Sequence, residues 1–299
     1  MKKFLSLILA AALAVSATAC SSSNSASSSA AQANAGAASS AAQSSGTASS
    51  ADGDFSKPVT LKVGVNGTDF RLWDSLNKRL KQYNITLEPV SFADYIKPNQ
   101  ALADKEIDLN AFQTQIYFKT FIKQHNLNLV SLGDTIIAPM GIYSQKIKDI
   151  SKTPDNAKVA IPNDATNGGR ALILLESAGL IKLDGKDKVT PTTKNIAENS
   201  KSLQFVSMES VQIPRSLGDV DIAAINTGAA TDAGLSPVKD AIFRESADGE
   251  AAKNYFNILA VRPEDKDKPA FKKLLEVYHT DETKKVIDEI YKGAALPVW

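Results

Sequence analysis

From residue 58 to the C-terminus, short runs of two-residue apolar period alternate with longer runs at helical spacing, and this alternation limits the fold more than any other feature. Residues 59–65 alternate as a strand. Phe70, Trp73, Leu76, Leu80 and Tyr83 then recur on one helix face. Residues 85–92 read as a strand before a helix starting near Lys97, and 107–112 as a short strand before a helix over 113–125. Residues 158–161 precede a helix over 169–178, which stops at Gly179, a residue type favoured just past a helix end. Strands at 203–208, 221–225 and 255–261 follow. Two last helices carry Phe271, Leu274, Leu275 and Tyr278, then Val286, Ile287, Ile290 and Tyr291. Strands alternating with helices predict an α/β protein with largely parallel sheets covered on both faces.

The N-terminal segment has a different grammar. Lys2 and Lys3 precede a 12-residue run, Phe4 to Val15, apolar except for Ser6, and then the small residues Ser16-Ala17-Thr18-Ala19 before Cys20. That is signal-peptide architecture, too short for a spanning helix of about 20 residues. Residues 1–19 are expected to be removed. Ala17-Thr18-Ala19-Cys20 resembles a bacterial lipobox, although leucine is commoner where Ala17 stands, so Cys20 is the expected lipidation site. Two acyl chains, at about 0.8 kcal/mol per buried methylene, give stable anchoring. The 31 residues from Ser21 to Ala51 carry no charge and no aromatic ring. Such a stretch cannot bury enough surface to offset its ordering entropy. Residues 20–57 are expected to be a disordered tether, with a reach of about 30 Å as a flexible coil and roughly 100 Å at full extension.

Composition removes several functions. With 34 basic against 33 acidic residues and 7% aromatics, no basic groove for nucleic acid is available. The single cysteine excludes an internal disulfide framework, and two histidines as far apart as His125 and His279 argue against an imidazole-rich metal site. In a parallel sheet, function gathers after the carboxyl ends of strands. There the chain places Asn66-Gly67, Phe92 with Tyr95, Asn110 with Phe112, Pro162-Asn163-Asp164 and Asn226-Thr227. No Ser-His-Asp or Cys-His set, Walker loop or HExxH is present, so no enzyme and no cofactor are expected. Amides and rings recognise small polar molecules without transforming them. Asparagines at such positions also form turns, which is the competing reading of each taken singly.

The most specific stretch is Pro162-Asn163-Asp164-Ala165-Thr166-Asn167-Gly168-Gly169-Arg170. Its glycines allow close backbone approach, and free amides at a helix start favour an anion. Arg170, read as a first-turn residue, opposes the helix dipole at a cost of about 0.3–1 kcal/mol. A bound carboxylate would explain its presence. An arginine paired to a nearby acid is the alternative.

These residues, with Asp94-Tyr95-Ile96-Lys97-Pro98-Asn99, Asp108-Leu109-Asn110-Ala111-Phe112-Gln113, Pro139-Met140-Gly141-Ile142-Tyr143-Ser144, Pro214-Arg215-Ser216-Leu217, Ala224-Ile225-Asn226-Thr227 and the closing tryptophan, resemble the NlpA lipoprotein family of methionine-binding components of ABC importers. The resemblance covers residues 58 to 299. It implies a two-lobed periplasmic-binding-protein-like α/β fold of type II, with residues 58–141 and 255–299 in one lobe, 142–254 in the other, and the ligand in the interlobe cleft. It implies L-methionine or a related amino acid as ligand, and an ABC permease with its ATPase subunit as partners. The lipid anchor would place the protein on the extracytoplasmic face of a cell membrane. Arg170, Asn226 and Asn257 match the residues that hold the amino-acid backbone, and Tyr95, Phe112 and Tyr117 match the aromatic wall.

Three departures bear on the ligand. Thr114 stands where the family commonly has histidine, Gly228-Ala229-Ala230 where a tyrosine often occurs, and Asn66-Gly67-Thr68-Asp69-Phe70 lacks the usual early-loop pattern. The carboxylate anchor is kept while the selective part is altered. Another small carboxylate, a short peptide, or a surface interaction role without transport is the alternative.

Overall fold

The computed structural model describes residues 53–299; the signal peptide, Cys20 and the tether to residue 52 lie outside the described residues. The first lobe opens with β1 (Val59–Asn66), α1 (Arg71–Leu80), β2 (Ile85–Phe92), α2 (Lys97–Ala103), β3 (Leu109–Asn110), α3 (Gln115–His125) and β4 (Val130–Ile137). The chain then crosses to a second sheet through β5 (Gly141–Tyr143), β6 (Lys158–Pro162), α4 (Ala165–Ser177), the short pair β7 (Lys182–Leu183) and β8 (Ile196–Glu198), β9 (Gln204–Met208), β10 (Ile222–Ile225), α5 (Thr227–Asp232) and β11 (Ala241–Arg244). It returns through β12 (Phe256–Val261), α6 (Pro269–Tyr278), α7 (Asp281–Tyr291) and β13 (Leu296–Pro297).

The first sheet has the order β13-β4-β12-β3-β1-β2 and the second β11-β5-β10-β6-β9. Both are mixed. β1 pairs in parallel with β2 and β3, and β6 with β9 and β10. Every pairing made by β4, β5, β11, β12 or β13 is antiparallel, which corrects the expectation of largely parallel sheets. The cause is the double crossing. β4 and β5 carry the chain from the first sheet to the second, β11 and β12 bring it back, and these strands run against their neighbours. β4, β5 and β11 correspond to none of the expected strands; β5 and β11 are only three and four residues long.

Strand alternation explains why both faces of each sheet are buried. In β12, Leu259 and Val261 face one core with Leu61, Val63, Trp73, Leu76 and Phe271, while Ile258 and Ala260 face another with Leu102, Ile107 and Phe118. The second sheet repeats the plan, with α4 over Val159 and Ile161 on one side and Ile213, Leu217 and Ala229 over Ala160 and Ala223 on the other. Tightly packed helices therefore fix the carboxyl ends of β1, β2, β3, β6 and β10, and the site lies at those ends.

Phe55 lies against the first sheet's core. Phe55 packs edge-on against Tyr83 at 5.5 Å, and its carbonyl accepts from Asn84 Nδ2 at 2.8 Å.

Candidate ligand-binding cleft

A cavity of about 630 Å³ lies where strand ends of the two sheets face one another. Tyr95, Phe112, Thr114, Tyr117, Arg170, Asn226 and Asn257, expected from sequence to bind the ligand, all line it.

Its first wall is aromatic. Tyr95 follows β2, Phe112 follows β3, and Tyr117 lies in the first turn of α3, whose N-cap Thr114 accepts from Tyr117 N–H at 3.3 Å. The three rings stand 5.9 to 6.3 Å apart in tilted and edge-on pairs. The Tyr117 hydroxyl donates to the Tyr95 carbonyl at 2.7 Å, tying the two loops together. Burial, reinforced by the Asp232 and Asp164 carboxylates, pushes the Tyr95 phenol far above its ordinary value, and burial does the same for Tyr117. Both stay neutral. Behind the rings, Asn99, Asn110 and Gln113 form a buried amide network: Asn99 Nδ2 donates to Gln113 Oε1 at 2.8 Å, and Gln113 Nε2 to Asn99 Oδ1 at 2.7 Å and Asn110 Oδ1 at 2.8 Å. Buried amides with paired donors fix the loops that carry the rings.

The second wall is polar. Asn226, the N-cap residue of α5, donates from Nδ2 to Asn167 Oδ1 at 2.8 Å. Its own Oδ1 is buried and unpartnered in the structure. Across the cleft Asn66 behaves alike: Nδ2 donates to the carbonyls of Phe92 (3.0 Å) and Asp94 (2.8 Å), leaving a buried Oδ1 without a donor. In both residues the bonds made by Nδ2 fix the orientation of the amide. Asn257, on β12, pairs as an isolated bridge with Thr114, which joins the crossover strand to the aromatic wall.

Arg170 is in the cleft for a reason other than the one read from sequence. The helix α4 begins at Ala165, with the Asp164 carboxylate accepting from Asn167 N–H at 2.8 Å, so Arg170 lies beyond the first turn. The paired glycines serve packing: a Cβ on Gly168 would come within 2.7 Å of the Pro162 carbonyl oxygen, and one on Gly169 within 2.8 Å of Thr190 Cα. Neither feature makes an anion cradle. The guanidinium itself is 3% exposed and paired with Glu245, Nε donating at 3.0 and 3.1 Å and Nη2 at 2.5 Å. Nη2 also donates to the Ala138 carbonyl at 3.1 Å, and the Tyr255 ring lies 4.2 Å from Cζ. The paired-acid alternative is thus realised, and the same side chain still lines the cavity, with Nη1 the nitrogen left out of these bonds.

Sequence reasoning missed Asn66 as a site residue, together with Asn167, Glu245, Tyr255 and Asp232. Asn167 stood inside a motif already singled out. Glu245 is 75 residues from Arg170 and carried no local signal. Among the described residues no cluster of His, Cys, Asp and Glu could hold a metal, and no helix is long and apolar enough to cross a membrane.

The sequence model of the NlpA lipoprotein family matches residues 61–299. The chain belongs to this family. It is 40% identical over 250 residues to the D-methionine-binding lipoprotein MetQ of Salmonella typhi, covering 82% of this chain and 91% of that protein. A nutrient-binding protein from Burkholderia cenocepacia, solved bound to methionine, is 40% identical with a TM-score of 0.75 over 80% of this chain and 100% of its own. The substrate-binding protein of a methionine transporter from Streptococcus pneumoniae is also 40% identical, with a TM-score of 0.76 over 80% of this chain and 96% of its own. The fold is therefore the two-lobed α/β fold of methionine-binding substrate-binding proteins.

Proposed function

We propose that this lipoprotein captures methionine in the cleft and passes it to an ABC permease driven by its ATPase subunit, acting as a binding protein and not as an enzyme. The observation that carries the reading is the cleft's division into a polar side, with the Arg170 guanidinium and the Asn226 amide, and a cage of three neutral aromatic rings on the other. In this reading Arg170 Nη1 holds the carboxylate, Asn226 Oδ1 accepts from the ammonium, and Asn257 completes the backbone contacts. Tyr95, Phe112 and Tyr117 remove the side chain from water at roughly 25 cal/mol per Å². Rings of this kind also make favourable contacts with a thioether sulfur, worth about 0.3–1.5 kcal/mol. Thr114 borders the same space with a hydroxyl that already caps α3.

Residues 58–141 with 255–299 and residues 142–254 act as lobes closing on the ligand, which stabilises the closed state only as far as it binds that state better. Cys20 carries the lipid that keeps the protein at the extracytoplasmic face of the membrane, on the tether that follows it.

One observation favours a larger ligand as a second reading. A cavity of about 630 Å³ falls within the roughly 300–1,000 Å³ typical of drug-sized ligands. At Gly228, which lines it, a Cβ would meet nothing within 4 Å. Titration calorimetry of the purified protein with both methionine enantiomers, other amino acids and methionine-containing dipeptides separates the readings. Tightest binding by free methionine is expected. Tightest binding by a dipeptide selects the second reading, and silence across the panel overturns both.

A further inference from the structure

The charged side chains lining the cleft are Asp69, Arg71, Arg170, Arg215 and Asp232, two carboxylates against three guanidiniums. Asp69 and Arg71 pair with each other at 2.5 Å, Arg215 reaches only Gln212, and Asp232 has no partner among the hydrogen bonds and ion pairs of the described residues. Glu245 does not line the cavity, yet its carboxylate takes the Nε and Nη2 edge of Arg170 and brings the count to three against three. Asp94, Asp164 and Glu209 border a separate small recess, and the first two are engaged by backbone N–H groups.

Glu245 is also built into the crossover. Its carboxylate accepts from Met140 N–H at 3.1 Å and its own N–H donates to the Met140 carbonyl at 3.0 Å. Ala138, Pro139 and Met140, the link between β4 and β5, are held respectively by Arg170, by the Thr227 hydroxyl at 2.6 Å, and by Glu245. The carboxylate thus cannot swing away from the guanidinium without breaking the link's own bonds.

We infer that Glu245 is a specificity-determining residue of the cleft: by neutralising Arg170 it makes the site accept a zwitterion and reject a ligand that brings a carboxylate without an ammonium. This rests on the reading of the cleft as an amino-acid site. A zwitterion adds no net charge beside the buried, mutually neutralised Arg170–Glu245 pair. A simple carboxylate leaves it one negative charge in excess, an unfavourable condition in a medium of low effective dielectric. Glu245 is a positioning residue as well, because its two oxygens set the plane of the guanidinium and direct Nη1 away from the pair.

The test compares L-methionine with 4-(methylthio)butanoate, the same molecule without its ammonium, in the wild type, Glu245→Gln and Glu245→Asp, by calorimetry with circular dichroism as the folding control. The wild type is expected to prefer methionine at least tenfold. Glu245→Gln, near-isosteric and uncharged, is expected to shrink that preference at least tenfold, chiefly through tighter binding of the desamino acid. Glu245→Asp restores the charge and is expected to restore the preference even where both affinities fall. A merely structural role would weaken both ligands alike and leave their ratio unchanged in Glu245→Gln, which overturns the inference. Equal binding of the two compounds by the wild type overturns it whatever the variants do. If the wild type binds neither compound at millimolar concentration, the amino-acid reading itself fails, and the inference with it.

Discussion

The two walls of the cleft are made in opposite ways. The aromatic wall is local: Tyr95, Phe112, Thr114 and Tyr117 fall within 23 residues, on loops tied by the Asn99–Asn110–Gln113 network and the Tyr117–Tyr95 hydrogen bond. The polar wall is assembled from distant segments, with Arg170 on α4, Asn226 at the start of α5, and Glu245 past the end of β11. The local wall can be altered one ring at a time, since each ring is one of several apolar contacts. The assembled wall concentrates its energy in one buried ion pair, where removal of a single partner leaves an uncompensated charge.

The largest effect expected from this contrast belongs to Arg170→Ala. Binding should fall by more than a hundredfold, and the fold should lose about 3–5 kcal/mol because Glu245 is left buried and unpaired. Thermal melting and calorimetry measure both. The double variant Arg170→Ala/Glu245→Ala should recover much of the stability and none of the binding, and recovery of binding would show that the anchor lies elsewhere.

Asn226→Ala comes next. It removes an acceptor for a charged donor and leaves Asn167 Oδ1 without its partner, so affinity should drop by about 1.5–3 kcal/mol for every amino acid alike. Phe112→Ala should lower the affinity for methionine by roughly 1–2 kcal/mol while barely changing that for alanine, because the ring acts on the side chain alone. Equal losses for the two ligands would erase the distinction between the walls.

Smaller again, Tyr117→Phe should cost about 0.5–1.5 kcal/mol of stability through its lost bond to the Tyr95 carbonyl. The least change is expected from pH. Burial raises the phenol pKa values of Tyr95 and Tyr117 in the folded state above the usual value of about 10. The native state therefore retains protons that the unfolded chain releases. That contribution is complete below about pH 10 and is lost as the pH climbs past it. Melting temperature is expected to decline above that point, with methionine affinity flat between pH 7 and 9.

The same contrast explains what could be read from the sequence. Apolar periodicity marks β2 at its observed bounds and places α1, α6 and α7, each of which packs one face on a core. Tyr95, Phe112 and Asn226 could be read as strand-end residues, where loops of an α/β fold converge, whereas Tyr117, inside α3, was named only through the family resemblance. Arg170 was named for a reason that the structure replaces: it is not a first-turn cation answering the helix dipole, but a buried one answering Glu245. That partner, the mixed character of the sheets and the strands β4, β5 and β11 follow from the double crossing between sheets, which no local pattern encodes. Phe55 was hidden in the same way, its partner Tyr83 lying across a strand and a helix.

The central claim is that a ligand carboxylate is held by the guanidinium of the polar wall. Calorimetric titration of methionine into the wild type and into Arg170→Ala/Glu245→Ala, a variant without the unpaired buried charge, tests it most directly. The account expects one-to-one binding by the wild type and no measurable heat of binding from a double variant that circular dichroism shows to be folded. Equal affinity in the two proteins would contradict it.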